Sequence, residues 1–148
     1  MDKIITLILF VLLSQNVLAQ DITEQEKAEV IAVCILGEAR GEFMKYGFES
    51  LLAIAEGIRN RDTLNGVYGC RYNPTIEELQ YMDSNGTLKG AFLAYTMAFN
   101  GLTDRIGGAN HWCSITVDRS WCDEMEKSES FEFKTQIGHH RFYKELRQ

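Results

Sequence analysis

The sequence predicts a mostly α-helical domain with a small irregular or β-structured part. Apolar residues recur at intervals of three and four over residues 28–36, 48–58 and 88–99, which is the spacing of a buried helix face. Two capping boxes, which begin at Thr23 and Thr75, mark places where helices start. The smaller part is predicted after residue 100, where the periodicity is lost and glycines, cysteines and both tryptophans crowd together.

Residues 1–19 are predicted to be a signal peptide and not part of the fold. Lys3 supplies a positive charge, Ile4–Leu13 form an apolar run, and Val17–Ala19 form a small-residue cleavage site. The apolar run is too short to span a bilayer, so we expect export to the periplasm or beyond and no stable membrane anchor. An uncleaved anchor is the alternative. Residues 20–148 are then expected to form one domain and to act as a monomer.

The helices are predicted in chain order from their caps and apolar faces. The first begins after Thr23, is buried on most sides, and is predicted to end at Gly37 and Gly41. A second helix is predicted over about residues 46–61, where basic residues suit its C-terminus. Both predicted helices lie before residues 66–72, the first segment without a helical spacing of apolar residues.

The later elements are shorter. Residues 66–72 are predicted to be a loop, and a short helix should follow Thr75 and end in a turn at residues 83–86. A further helix is predicted over about residues 88–100, because large apolar side chains recur along it at intervals of three and four. Residues 137–143 are predicted to form a short strand.

The net charge and the cysteines indicate which partners and which kinds of site the protein is expected to have. The net charge is −6 and no basic run is present, so we expect no nucleic-acid partner. An even number of cysteines in an exported chain indicates disulfides, and three pairings are possible among Cys34, Cys70, Cys113 and Cys122. We favour Cys34–Cys70 with Cys113–Cys122. Free buried thiols remain the alternative, and with them an exported thiol enzyme.

The spacing of histidines and cysteines fits no standard zinc site, and we expect neither a metal nor a cofactor.

The hexapeptide at residues 37–42, Gly-Glu-Ala-Arg-Gly-Glu, carries two acids at the predicted end of the first helix. Glu38 and Glu42 would share a face of a continuous helix, but the glycine between them makes divergence equally open. One of them could be a general acid held in a cleft, as single-acid glycan-cleaving enzymes require. Both could instead be solvated charges that pair with neighbouring basic residues.

Four further residues are candidates for substrate binding. Glu56 lies within an apolar stretch, where it could be a second acid facing a cleft or a residue on the flank of its helix. Asn110 and His111 place hydrogen-bonding groups beside the aromatic plate of Trp112, a combination that suits the hydroxyls and the C–H face of a sugar. Trp112 and Trp121 could equally be core residues of a small domain.

Two segments in the chain have the character of family motifs. One is the hexapeptide at 37–42, and the other is Ile-Gly-His-His-Arg-Phe-Tyr at 137–143. Between them, in order, stand Gly47, Ala53-Ile54-Ala55, Asn60-Arg61, Ala94, Ala98, Gly101, Asp104, Gly108-Ala109 and Trp112. Taken together, these segments resemble the SleB-like cell-wall hydrolase family, which includes the spore cortex-lytic enzymes.

The resemblance implies a lysozyme-like α+β catalytic domain over residues 20–148 that cleaves the glycan strands of peptidoglycan. It implies that Glu38 is the general acid, while Glu42 shapes the turn at the helix end. If a positioned water completes the reaction, the protein acts as a lysozyme. If the muramyl 6-hydroxyl closes on C1 instead, it acts as a lytic transglycosylase.

The resemblance also implies roles for residues of the last two motifs. Asn110, His111 and Trp112 would contact sugar, and His140 and Tyr143 would line or support the cleft near the general acid. Glu56 stands where the family usually has a small or apolar residue, so it could mark a cleft carboxylate particular to this chain. A non-catalytic module that binds peptidoglycan or an inhibitor protein remains the alternative function.

Overall fold

Residues 22–146, the part of the chain that this computed structural model describes, form five α-helices and one antiparallel sheet of three strands. The elements are α1 (Glu24–Tyr46), α2 (Phe48–Arg59), a 3-10 turn (Tyr68–Arg71), α3 (Ile76–Ser84), α4 (Thr87–Phe99), β1 (His111–Ser114), α5 (Arg119–Lys127), β2 (Phe131–Ile137) and β3 (His140–Glu145). The prediction of a mostly helical domain with a small β part is confirmed. The predicted signal peptide lies outside the described residues.

Helix α1 begins where the sequence predicts and ends later. The capping box at Thr23 is present, with the side chains of Thr23 and Glu26 each accepting from the other's backbone N–H. The prediction that Gly37 and Gly41 end the helix is wrong, since α1 continues to Tyr46 and Gly47 caps it. A glycine inside a helix costs about 1 kcal/mol relative to alanine. Burial of the helix on most sides offsets this cost, and the helix passes through both glycines.

Helices α1, α2 and α4 pack together around the main core. Their buried faces supply most of its side chains, among them Ile35, Leu36, Leu51, Leu52 and Leu88. The predictions for α2, for α3 after its capping box and for α4 are confirmed to within about two residues at each end. This helical layer provides the rigid wall against which the sheet and the loops lie.

The sheet has the order β1-β3-β2, and its two faces bury different side chains. Trp112 and Phe142, which are register partners, pack on the main core. Cys113 and Tyr143 belong to a second, smaller core with Met125 of α5. Side chains alternate between the two faces of a strand, so neighbouring residues serve different cores.

The C-terminal region differs from its prediction in two ways. Residues 137–143 do not form one strand; they comprise the end of β2, a tight turn and the start of β3. The turn contains Gly138, whose positive φ of 59° suits glycine. Helix α5 was not predicted, because its nine residues carry too few apolar positions to show a period.

Two disulfides join Cys34 to Cys70 and Cys113 to Cys122, which is the favoured pairing. No cysteine is left free, so the hypothesis of a thiol enzyme is wrong. The two bonds are compatible with an exported protein. Among residues 22–146, none of the helices combines the length and the apolar character needed to cross a bilayer.

Candidate active site

A cleft of about 910 Å³ lies between α1, the 3-10 turn, β1 and the segment that leads into α5. Glu38 and Glu42 both line it, because the continuous helix α1 puts residues four apart on one face. Trp112 and His140 reach the same cleft from adjacent strands. The cleft therefore collects residues from both of the motifs found in the sequence.

The carboxylate of Glu38 is partly buried and held by two N–H donors. Its Oε1 accepts the backbone N–H of Gly69 at 2.6 Å, and its Oε2 accepts the indole N–H of Trp112 at 3.2 Å. Two hydrogen bonds to one carboxyl group fix its orientation. Glu38 thus presents a carboxylate of defined position to the cleft.

Gly69 reaches Glu38 because a disulfide and a close glycine contact bring the 3-10 turn onto α1. Cys34 lies one helical turn before Glu38, and it is bonded to Cys70, the neighbour of Gly69. A Cβ at Gly69 would lie 2.6 Å from Cγ of Glu38, and a Cβ at Gly37 would overlap the backbone of Gly69. Only glycine fits at these two positions.

Trp112 reaches Glu38 across a helix that makes room for its ring. A Cβ at Gly57 of α2 would lie 2.9 Å from Cε3 and Cζ3 of the indole, so the ring rests on the helix backbone. Trp112 packs against the main core on one side and lines the cleft on the other. Trp112 is therefore both a core residue and a cleft residue.

Glu42 holds the turn between β2 and β3, and not the end of its own helix as expected. Its Oε2 accepts the backbone N–H of His139 at 3.0 Å, and its Oε1 lies 2.9 Å from Nδ1 of the same residue. The hydroxyl of Tyr46 lies 2.9 Å from Nε2 of His139. Helix α1 and the turn are thereby joined through one imidazole.

His140 lines the cleft beside the two carboxylates and is only 4% exposed. Burial lowers the pKa of His140 below its usual value, and the nearby carboxylates of Glu42 and Glu38 oppose that shift only in part. The pKa of His111 is lowered too, first by burial and then by the charge of Arg61. Both imidazoles are therefore predominantly neutral at neutral pH.

Tyr143 does not line the cleft, which corrects the expectation that it accompanies His140. The two residues are three apart in β3, and side chains at odd spacing point to opposite faces of a strand. The ring of Tyr143 is fully buried in the smaller core, and its hydroxyl donates to Glu126 at 3.4 Å.

Asn110 also lies outside the cleft lining, although His111 is part of it. The Oδ1 of Asn110 accepts the backbone N–H of Glu145 at 3.0 Å and lies 3.1 Å from Nδ1 of His111. Asn110 therefore fastens the start of β1 to the end of β3. Its carbonyl oxygen is engaged in these two contacts.

Glu56 is fully buried and does not face the cleft, which corrects its assignment as a substrate-binding residue. Its Oε2 accepts the backbone N–H groups of Arg105 at 2.8 Å and Ile106 at 3.3 Å, while Oε1 has no partner among the residues that the structure describes. Buried backbone donors need acceptors, and Glu56 supplies one to the loop after α4.

Several cleft residues were missed in the sequence. Tyr68, Arg71 and Tyr72 were assigned to a plain loop. Trp121, for which a core position was left open, is 39% exposed at the cleft. The one signal for the loop was Cys70, whose pairing with Cys34 brings its neighbours onto α1.

No known family model, curated protein or solved structure matches this chain significantly. Its function must therefore be inferred from the chemistry of the cleft and from the motifs in the sequence. Within residues 22–146, histidine, cysteine and carboxylate side chains do not form any group of three that could hold a metal ion. The chemistry available in the cleft is that of a positioned carboxylate, two largely neutral imidazoles, aromatic rings and arginines.

Proposed function

We propose that this protein cleaves the glycan strands of peptidoglycan, with Glu38 as the proton donor to the glycosidic oxygen. The observation that carries the proposal is the position of the Glu38 carboxylate, partly buried and oriented by two donors inside a cleft. The α+β fold and the ordered motifs that resemble the SleB-like family also support it. A fixed carboxyl at the scissile bond gains rate through orientation and general acid catalysis.

The residues around Glu38 suit a sugar ligand. Trp112 and Trp121 offer ring faces on which the C–H face of a pyranose can stack, and His111 offers a polar edge. The second carboxylate of the helix face, Glu42, is engaged by His139. The proposal therefore assigns proton donation to Glu38 and leaves Glu42 to the turn that it holds. Either a water or the muramyl 6-hydroxyl then completes the cleavage.

The direct test replaces Glu38 by glutamine. We expect Glu38→Gln to lower the rate of peptidoglycan solubilisation by about 100-fold or more, because general acid catalysis contributes at least that factor. Glu77→Gln, at an exposed position on α3, is the matched control and should keep full activity. If Glu38→Gln folds with the same thermal midpoint and clears cell walls like the wild type, the proposed role of Glu38 is wrong. Mass spectrometry of the products separates anhydromuramyl ends from reducing ends.

One observation favours a non-catalytic binding module as the second candidate. Both oxygens of Glu38 are occupied by N–H donors, as they would be in a carboxylate that serves only to join a turn to a helix. Such a module would bind purified glycan strands and release no new sugar ends. The product measurement on the wild type therefore distinguishes the two functions.

A further inference from the structure

The 3-10 turn at Tyr68–Arg71 presents different residues to its two sides. Gly69 and Cys70 face α1, where they hold the turn by a hydrogen bond and a disulfide. Side chains at i and i+3 of a 3-10 helix eclipse each other, so Tyr68 and Arg71 lie together. The guanidinium carbon of Arg71 lies 4.9 Å from the centre of the Tyr68 ring, and both residues line the cleft.

The cleft is less acidic than the rest of the protein. Its lining contains three arginines, at 40, 61 and 71, and three carboxylates, at 38, 42 and 118, so it is formally neutral. The whole chain has a net charge of −6, which therefore lies outside the cleft. A negatively charged ligand that the protein surface repels would meet arginines at this place.

The three arginines differ in how their donors are used. Arg40 stacks on Tyr72 at 3.9 Å and donates to two carbonyls of its own helix. Arg61 lies over Trp112 and donates to the carbonyls of three loop residues. For Arg71, no acceptor and no carboxylate partner is found among residues 22–146. Its planar fork of N–H groups is available to a ligand.

We infer that Tyr68 and Arg71 form a binding site for a carboxylate carried on a glycan. The ring of Tyr68 is 74% exposed and can take the C–H face of a sugar, while it holds the guanidinium flat beside that sugar. A guanidinium in this setting binds a carboxylate through two parallel hydrogen bonds. The choice of a glycan ligand rests on the proposed function.

Two carboxylates of peptidoglycan have this chemistry, and they never occur on the same muramic acid. An intact peptide stem carries its own carboxylates, and its amide bond neutralises the lactyl group. Removal of the stem exposes the lactyl carboxylate in its place. A chitin oligomer has the same sugar backbone and carries neither group, so it is the neutral reference.

The experiment measures binding by calorimetry in the Glu38→Gln background of the full chain, so that no ligand is consumed. The ligands are chitohexaose, peptide-free glycan strands and peptide-bearing strands. The variants are Arg71→Gln and, as a control with the same change of charge, Lys89→Gln at an exposed position on α4. We expect Arg71→Gln to bind at least one carboxylate-bearing ligand about tenfold more weakly, because a charge-assisted pair of hydrogen bonds is lost. Binding of chitohexaose should not change, and Lys89→Gln should change none of the three.

The ligand that loses affinity identifies the carboxylate as lactyl or peptide-borne. Equal affinities of Arg71→Gln and its background for all three ligands would overturn the inference, as would an equal loss for all three. The wild type is assayed in parallel for new sugar ends. If Arg71 discriminates between the ligands but no ends form, the inference stands and the cleavage proposal fails. If ends form and Arg71→Gln binds normally, the inference alone fails, and if no glycan binds, both fail.

Discussion

The backbone N–H of Gly69 donates a 2.6 Å hydrogen bond to Oε1 of Glu38 across 31 residues of the chain. The contact is possible because the disulfide between Cys34 and Cys70 fastens the turn to α1 on the adjacent helical turn. The position of the proposed proton donor therefore depends on Gly69 and Cys70, both of which are remote from it in sequence.

The first prediction concerns that disulfide. The double variant Cys34→Ala/Cys70→Ala should reduce kcat for glycan cleavage about tenfold or more, since a small displacement of a catalytic group can cost a factor of this order or larger. The matched control is Cys113→Ala/Cys122→Ala, which opens the disulfide of the smaller core. Both should lose stability, by about 4 and about 2.5 kcal/mol respectively on chain-entropy grounds, because the first closes the longer loop. Equal kcat values for the two folded variants would contradict this prediction.

The second prediction concerns the space at Gly69. In Gly69→Ala the added Cβ would overlap the backbone carbonyl of Cys34 and lie 2.6 Å from Cγ of Glu38, so the turn must move away from α1 and from the carboxylate. We expect a loss of about 1–3 kcal/mol in the free energy of unfolding, as for other overpacked sites, together with a lower kcat. Gly41→Ala is the comparison for stability, since no atom lies within 4 Å of its Cβ position and α1 is continuous there. It should stabilise the protein by about 0.5–1 kcal/mol. Urea unfolding measures both, and a stable Gly69→Ala with wild-type kcat would contradict the close contact.

The third prediction is a loss of stability in mild acid that depends on His140. Burial lowers the pKa of His140 in the folded state, so the unfolded chain, with a pKa of about 6.5, binds the proton more readily. Stability is then fully present above about pH 6.5 and falls as the pH decreases toward the lowered folded value. The free energy of unfolding at pH 7.5 and pH 5.5 measures the effect. His140→Gln should reduce the difference, and the remainder should include His111, whose pKa is also lowered. An unchanged difference in His140→Gln would exclude this role.

The fourth prediction tests whether Glu56 has a structural role or a catalytic one. Glu56→Ala leaves the N–H groups of Arg105 and Ile106 without their acceptor, which should cost about 3 kcal/mol or more. Glu56→Gln keeps one carbonyl acceptor and should cost less. Because Glu56 does not line the cleft, kcat should stay within about twofold of wild type in the folded variants. A large fall of kcat in Glu56→Gln without a loss of stability would contradict the structural role and favour a role in catalysis.

The sequence predicted those elements whose cause is local. The helix starts at Thr23 and Thr75 follow from capping boxes, in which all partners lie within three residues. The end of α1 could not be predicted in the same way. Gly37 resembles a helix terminator, yet it is required by the backbone of Gly69, which contacts it from another part of the chain.

The site could be predicted only in part, because many of its contacts also come from distant parts of the chain. The motif order drew attention to Glu38, Trp112 and His140, which do line one cleft. Tyr143 was assigned with them, although the alternation of a strand already excludes that two residues three apart share a face. Arg71 carried no signal in the sequence, since a single arginine in a loop is ordinary until its neighbours in space are known.

The sequence by itself determined where helices begin, which cysteines were available to pair, and which acid stands in a motif. Those features depend on interactions within a few residues or on residue type alone. Only the tertiary structure decided what surrounds that acid. The donors to Glu38 come from 31 and 74 residues away, and Glu56 lies against a loop about 50 residues later in the chain. Such contacts are made by packing of the whole domain, which satisfies buried polar groups wherever the fold brings a donor and an acceptor together.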